Sequence, residues 1–401
     1  MQDLACAILA GGRGSRLFPL TFKKAKPAVL FGTGYRLIDI PISNALNAKI
    51  RDISVFTQYY PDLLRSHIVE AFFPTRIAPA CIEVFGPPSG PLGETQLFQG
   101  TADAMRKFKS YFLDKKQDYI LILSGDQLYT MDFAPFLAQA KRTGAALLIA
   151  CLKVDECDAR RMGVMKTNSE DRIVDFLEKP NKVEDLDRLK DVNGRYLASM
   201  GIYIFKKSTL LELLEHPGDD FGKDLIPEQL SRGGVYAYPF EGYWEDIGTI
   251  HSFFKANLAL IDQKNCLEMA DEKYPFFSKQ HNFHCPVIKQ CTIDESLLAQ
   301  GTMIKAHKIS KSVIGLGAHL EEGSQIMSSV LLGSSDRSQP TKIGKYSILK
   351  NVIVDEGVSI GHNVNLQNFA NIQNFDGPGI FIRDGITIVQ AGTVIADGFE
   401  L

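Results

Sequence analysis

The sequence predicts an α/β domain with a mainly parallel sheet, followed by a parallel β-helix. Three observations carry this expectation. Over residues 1–262, short apolar runs alternate with amphipathic helical patterns. From residue 287 to 401, apolar residues recur every six positions, with glycines between them. The intervening residues 263–286 are rich in Lys, Asn, Gln and His, hold two prolines and show no period, so they read as a linker. A chain of 401 residues has room for two or three domains at about 150 residues each.

In the first domain, Leu4–Leu9, Ile53–Thr57, Ile82–Phe85, Tyr119–Leu123 and Ala146–Cys151 read as buried strands. Segments such as Asp62–Phe72 and Phe133–Arg142 have helical periodicity. Strands alternating with helices imply right-handed crossovers and parallel pairing. Ligands in such sheets sit beyond the carboxyl ends of the strands, so the residues just after each strand matter most.

In the second domain, Ile314, Leu320, Ile326 and Leu332 form one six-residue register. Ile348, Val354, Ile360 and Leu366 form another, accompanied by Val352, Val358 and Val364. This period fits neither an α-helix nor a simple alternating strand. It is that of a hexapeptide β-helix, in which each short strand points one apolar side chain inward. An ordinary β-sandwich is the alternative. Ser334–Thr341 interrupts the repeat and reads as an inserted loop.

Composition excludes several classes. The 44 basic and 47 acidic residues give a net charge of −3, unlike a general nucleic-acid binder. No apolar run approaches the ~20 residues of a membrane span, so no membrane partner is expected. The start, MQDLACAILAGG, lacks a basic leader and enters a strand pattern at once. Seven scattered cysteines without a C-x-x-C pair read as free thiols in a reducing cytoplasmic compartment. The charge is uneven, however. Over residues 1–36, Arg13, Arg16, Lys23, Lys24, Lys26 and Arg36 face one acid, Asp3, leaving a net of −8 for the rest. A local +5 on an acidic protein suggests a site for a small, highly charged anion.

The first chemical motif is AILAGGRGSRLFPLTFKKAKPAV, directly after the first strand. Gly11, Gly12 and Gly14 let backbone N–H groups approach an anion. Arg13 and Arg16 supply guanidinium forks for phosphate oxygens, and Lys26 a point charge. The spacing is neither G-x-G-x-x-G nor a Walker A loop. The second motif ends the run YILILSGDQLY, where Asp126 is placed either to bind Mg²⁺ or to cap a helix. Asp246, in YWEDIGT, has the same two readings. In FLEKP, Glu178 is suited to hydroxyl groups and Lys179 to a phosphate. A surface charge pair is the plain alternative.

Together these motifs carry a resemblance. The ordered set LAGGRGSRL, KAKPAV, YRLIDIPISN, QGTADA, SGDQLY, FLEKP, SMGIYIF, DFGKDLIP and YWEDIGT resembles the ADP-glucose pyrophosphorylase (glucose-1-phosphate adenylyltransferase) family. The stretch GSQIMSSVLLGSSD, with GPGIFIRDGI, extends the likeness to the C-terminal domain. The resemblance implies a Rossmann-like nucleotidyltransferase domain followed by a left-handed parallel β-helix. It implies the reaction ATP + glucose 1-phosphate → ADP-glucose + pyrophosphate, with Mg²⁺, in glycogen or starch synthesis.

By the same resemblance, Gly11, Gly12, Arg13, Arg16 and Lys26 hold the triphosphate, and Gln58, Gly100 and Thr101 shape the adenine pocket. Asp126 and Asp246 bind Mg²⁺; with Arg16 and Lys26 they form the catalytic set. Gly163, Glu178, Lys179 and Ser199 serve glucose 1-phosphate. Lys23, Lys24 and Arg36 match basic positions for a sugar- or glycerate-phosphate effector, and the family implies a homotetramer. Leu97 and Phe98 depart from the family's usual aromatic residues. Gln390 and Ala391 stand where plant-type relatives place an activator lysine, which puts activation by 3-phosphoglycerate in doubt. A related transferase with another base or sugar and a non-catalytic regulatory subunit are the competing readings.

Overall fold

A computed structural model describes residues 2–73, 80–88, 96–262 and 266–401. The first domain is built on a nine-stranded sheet. Its strands are β1 (Leu4–Ala10), β2 (Asp52–Thr57), β3 (Cys81–Phe85), β4 (Tyr119–Ser124), β5 (Leu147–Val154), β6 (Gly163–Thr167), β7 (Ile173–Glu178), β8 (Tyr196–Lys206) and β9 (Val235–Pro239). The spatial order is β7-β6-β8-β4-β1-β2-β3, with β5 pairing β8 and β9 pairing β5. Strands β4, β1, β2 and β3 run parallel, as their helical crossovers require. Beyond β4 the pairing of β8, β6 and β7 is antiparallel. Only five residues separate β6 from β7, too few for a parallel crossover.

Strand β1 shows why the sheet is buried on both faces. Leu4, Cys6, Ile8 and Ala10 enter one apolar cluster, while Ala5 and Ala7 enter the other. Alternate side chains point to opposite faces. The parallel half therefore fixes the end of β1, and with it the loop that follows.

Residues 266–286 are irregular but anchored. Ser43 Oγ accepts the Phe277 N–H at 2.8 Å, and Asn47 donates to the Pro275 carbonyl at 3.0 Å. Ser278 donates to the buried Asp39 carboxylate at 2.6 Å, which also contacts His67 Nε2 at 2.6 Å. The segment thus lies along the helix Asp39–Asn47.

From Val287 onward, short strands stack in parallel into three sheets, except that Asn374–Asp376, Ile380–Arg383 and Ile386–Val389 pair antiparallel in the third. Ile309, Ile326, Leu349 and Leu366 form one inward ladder. Ile304, Leu320, Ile343 and Ile360 form a second, and Leu298, Ile314, Leu331 and Val354 a third. Two expected register members differ. Leu331 and Leu349 point inward, whereas Leu332 packs outward and Ile348 is only half-buried. The coils advance by 16 residues from Ile304 to Leu320, by 17 from Ile309 to Ile326 and from Ile343 to Ile360, and by 23 from Ile326 to Leu349 across the inserted loop, where an uninterrupted six-residue register would need 18. The register therefore slips by one or two residues in the coils without an insertion.

The middle strands of the third sheet are buried on both sides. Its outward residues Val313, Val330, Leu332, Ile353 and Ile388 join a cluster with Phe253, Ala256 and Leu260 of the helix Ile250–Asp262. That same cluster holds Leu17, Leu20 and Val29, which flank the basic loop. The β-helix is thereby packed directly behind the chain segment expected to bind an anion.

Candidate active site

The loop after β1 meets three other elements. Gly125 donates its N–H to the Leu9 carbonyl at 3.0 Å, which joins the turn after β4 to the end of β1. Gly14 has φ +70°, and a Cβ there would lie 2.7 Å from Lys26 Cβ, so glycine lets the loop close over Lys26. Gly12 is different. A Cβ there would meet nothing within 4 Å, so packing within the chain does not demand glycine. The open space at Gly12 suits the close approach of a ligand to the backbone.

Lys26 is buried and bridges two carboxylates. Its ammonium lies 2.7 Å from Asp126 and 3.4 Å from Asp246. The short strand Gln127–Tyr129 pairs antiparallel with Trp244–Asp246, setting Asp246 opposite Gln127 and beside Asp126. Ser124 Oγ also donates to Asp126. Burial pushes the Asp126 carboxyl up, but the Lys26 ammonium and these hydrogen bonds outweigh it, leaving its pKa below the usual value. Burial likewise works against the Lys26 charge, yet the two carboxylates hold its pKa above normal. Arg16 and Asp246 both come within 4 Å of where a Gly248 Cβ would stand, so the guanidinium joins this group.

A cleft of about 580 Å³ opens in front of it. Of the expected residues, Gly11, Gly12, Arg13, Gln58, Gly100, Thr101, Asp126 and Glu178 line it. Gln58 Oε1 accepts the Phe98 N–H at 3.0 Å, and Phe98 lines the cleft beside it. A Cβ on Gly100 would overlap the Asp219 carbonyl, so this position needs glycine for packing. Thr101 Oγ1 accepts the Phe221 N–H at 3.2 Å and donates to Asp220 at 3.3 Å.

Glu178 enters the far wall, where Cβ atoms on Gly163 or Gly222 would lie 2.7 and 2.5 Å from its Oε2. Those glycines make room for the carboxylate. Lys179 has φ +50° and a half-exposed side chain, paired with Glu178 at 2.8 Å. Ser199 is buried, and its Oγ accepts the Gly201 N–H at 3.1 Å while its hydroxyl faces Tyr203 OH at 3.5 Å. Tyr203, Gln127 and Asp220 line the cleft without having been singled out from the sequence. Gln127 donates to the Met200 carbonyl at 2.7 Å, joining two motifs, and its place beside Asp126 was the available signal.

Of the three basic positions expected to form an effector patch, Lys24 and Arg36 share one partner, Glu356, whereas Lys23 does not join them. Lys23 is exposed, with its ammonium 5.7 Å from the Phe22 ring centroid. Lys24 is buried in an ion pair with Asp355 at 2.9 Å and a second with Glu356. Arg36 reaches Glu356 at 3.5 Å and donates to the Ala28 carbonyl. Carboxylates of the β-helix thus already face two of the three cations, because packing the domains together would otherwise bury those cations unpaired.

Two hard carboxylates converging on one point suit Mg²⁺, which commonly takes one or two carboxylates plus water and substrate phosphates. No group of three or more His, Cys, Asp or Glu side chains assembles among the described residues, so a metal here would draw its other oxygens from substrate and water. The seven cysteines are free thiols, and no described helix is long and apolar enough to cross a membrane.

Comparison with protein families agrees with both halves of this description. Residues 6–263 match the family model described as nucleotidyl transferase. Residues 284–399 match the GLGC left-handed parallel β-helix domain. The chain therefore belongs to the nucleotidyl transferase family, and its two matched domains give it the characteristic architecture of the ADP-glucose pyrophosphorylases.

Proposed function

We propose that the protein is a glucose-1-phosphate adenylyltransferase, forming ADP-glucose and pyrophosphate from ATP and glucose 1-phosphate. The observation that carries this reading is the meeting of Lys26, Asp126 and Asp246 at a cleft fed by the Gly11–Gly14 loop. In the reaction, a phosphate oxygen of glucose 1-phosphate attacks the α-phosphorus of ATP in line. The new P–O bond forms as the bond to the β-phosphate oxygen breaks, and pyrophosphate departs with that electron pair.

Such a transfer needs alignment and charge stabilisation rather than a covalent intermediate. Backbone groups at Gly11 and Gly12, with Arg13 and Arg16, bind the triphosphate. Lys26 neutralises charge developing on the α-phosphate and leaving group. Asp126 and Asp246 would hold Mg²⁺, which would supply Lewis-acid neutralisation of phosphate charge. Gln58, Gly100 and Thr101 bound the adenine side of the cleft. Glu178 accepts hydrogen bonds from glucose hydroxyls, Gly163 and Ser199 shape that wall, and Lys179 turns from Glu178 to the sugar phosphate. Any anionic effector at Lys24 and Arg36 has to displace Asp355 and Glu356.

The test is pyrophosphate release with Mg²⁺ across a panel of nucleoside triphosphates and sugar 1-phosphates. ATP with glucose 1-phosphate is expected to give the highest kcat/KM. Turnover restricted to another pair overturns the substrate assignment and leaves a related transferase. No turnover with any pair favours a non-catalytic subunit.

A further inference from the structure

One short segment carries two buried lysines with different partners. Lys26 faces Asp126 and Asp246 in the cleft. Lys24, two residues earlier, turns away and meets Asp355 and Glu356 of the β-helix. Glu356 also engages Arg36, whose guanidinium donates to the Ala28 carbonyl two residues after Lys26. A single carboxylate therefore fixes the chain on both sides of Lys26.

The acidic corner is itself held firmly. Asp355 N–H donates to the Val389 carbonyl at 3.0 Å, and the Glu356 carbonyl accepts from Gly392 N–H at 3.0 Å. Thr341 Oγ1 accepts the Gly357 N–H at 3.2 Å. Between the anchors, Ala28 and Val29 donate to the carbonyls of Ala25 and Lys26 at 2.9 and 3.1 Å, forming one tight turn. With two cations against two carboxylates, the cluster is neutral overall. Buried ion pairs are often no more stabilising than apolar replacements, so net stability is a weak reason for this arrangement. Fixing one geometry is a stronger one.

We propose that Asp355 and Glu356 are positioning residues for nucleotidyl transfer: by gripping Lys24 and Arg36, the β-helix holds the turn that aims Lys26 at the reacting phosphates. The proposal rests on the transferase role given to Lys26. It assigns the β-helix a direct part in the basal reaction, independent of any bound effector. A small misplacement at a reacting group can cost a rate factor of about 100.

The experiment is a double-mutant cycle with Lys24→Met and Lys26→Met in the full-length protein, measured by pyrophosphate release alongside thermal melting. Lys24→Met is expected to lower kcat about 10- to 100-fold while changing the glucose 1-phosphate KM less than about threefold. Lys24→Arg should recover most of the loss. In the Lys26→Met background, Lys24→Met should change the residual rate less than about twofold, because coupled residues are non-additive. A full multiplicative loss in that background overturns the proposal, as does an unchanged kcat for Lys24→Met. If Lys24→Met does not fold, Glu356→Gln, of nearly the same shape, carries the test, and an unchanged kcat again overturns it.

Amide hydrogen exchange separates this proposal from the activity assignment. Glu356→Gln should speed exchange at Ala28 and Val29 while leaving β1 protected. Unchanged exchange overturns the clamp even if the wild type is active. A wild type that turns over no substrate pair removes the transferase role of Lys26, and the positioning proposal fails with it. Faster exchange would then establish only a structural clamp.

Discussion

Two ionic clusters share one turn of chain but face different surroundings. At Lys26, the carboxylates open toward a cleft, and the Asp246 side chain is 45% exposed. At Lys24, Asp355 is 1% exposed and its Oδ2 has no hydrogen-bond partner. Each cluster places an ammonium against two carboxylates. The open one can exchange its internal contacts for those of a ligand. In the other, closed one, Lys24 and Asp355 are buried against each other, and only Glu356 and Arg36 are partly exposed. Similar charges therefore serve binding in one place and alignment in the other.

The largest expected effect tests the open cluster. Lys26→Met removes a buried cation between two carboxylates and should lower kcat by about 100- to 1,000-fold, comparable to the loss of one preorganised transition-state donor. Asp126→Asn should also lower kcat strongly and weaken Mg²⁺ activation. Steady-state rates over a Mg²⁺ titration check both. Near-normal metal dependence in Asp126→Asn would remove this carboxylate from the metal site and break the proposed division of labour between the clusters.

A smaller effect is expected at Lys179, which pairs with the cleft residue Glu178. Lys179→Ala should raise the glucose 1-phosphate KM about 10- to 150-fold, since a charged hydrogen bond contributes about 1.5–3 kcal/mol. Its thermal midpoint should change little, because the side chain is half-exposed and pairs with Glu178 at the surface. An unchanged KM excludes Lys179 from the sugar-phosphate site.

Two glycines in the cleft differ in what a side chain would meet. Gly12→Ala should leave stability unchanged, because a Cβ there meets nothing within 4 Å, yet it should weaken ATP binding. Gly100→Ala should destabilise the fold itself through overlap with the Asp219 carbonyl. Thermal melting with and without ATP distinguishes the two cases. Equal effects on the two unliganded proteins would count against the open-space argument at Gly12.

Much of this arrangement was legible in local sequence. The Gly11–Gly14 loop followed a strand, Asp126 ended another, and the six-residue period announced stacked short strands. What was not legible depended on distant partners. Nothing near Lys24 identifies its pairing with Asp355, which is 331 residues away. The slip that turns Leu331 inward and Leu332 outward depends on coil length, while both leucines satisfy the hydrophobic pattern. The basic run could be read as charge, but only packing divides it between the cleft and the β-helix.

The smallest expected effect lies within the closed cluster, where two neighbouring carboxylates shift in opposite directions. Burial and the nearby Glu356 charge raise the Asp355 pKa despite Lys24. Burial opposes the Glu356 charge, but Lys24 and Arg36 prevail and lower its pKa. The linkage signs are therefore opposite. The Glu356 contribution is present above its unfolded value of about 4.3 and is lost as pH falls through its lower folded value. The Asp355 contribution is present below its unfolded value of about 3.9 and is lost as pH rises through its higher folded value. Glu356→Gln should thus flatten the loss of stability on acidification, whereas Asp355→Asn should steepen it. Thermal midpoints between about pH 3 and pH 7 check the two slopes against the wild type. Slope changes of the same sign would show that the paired carboxylates do not divide their charge as this geometry requires.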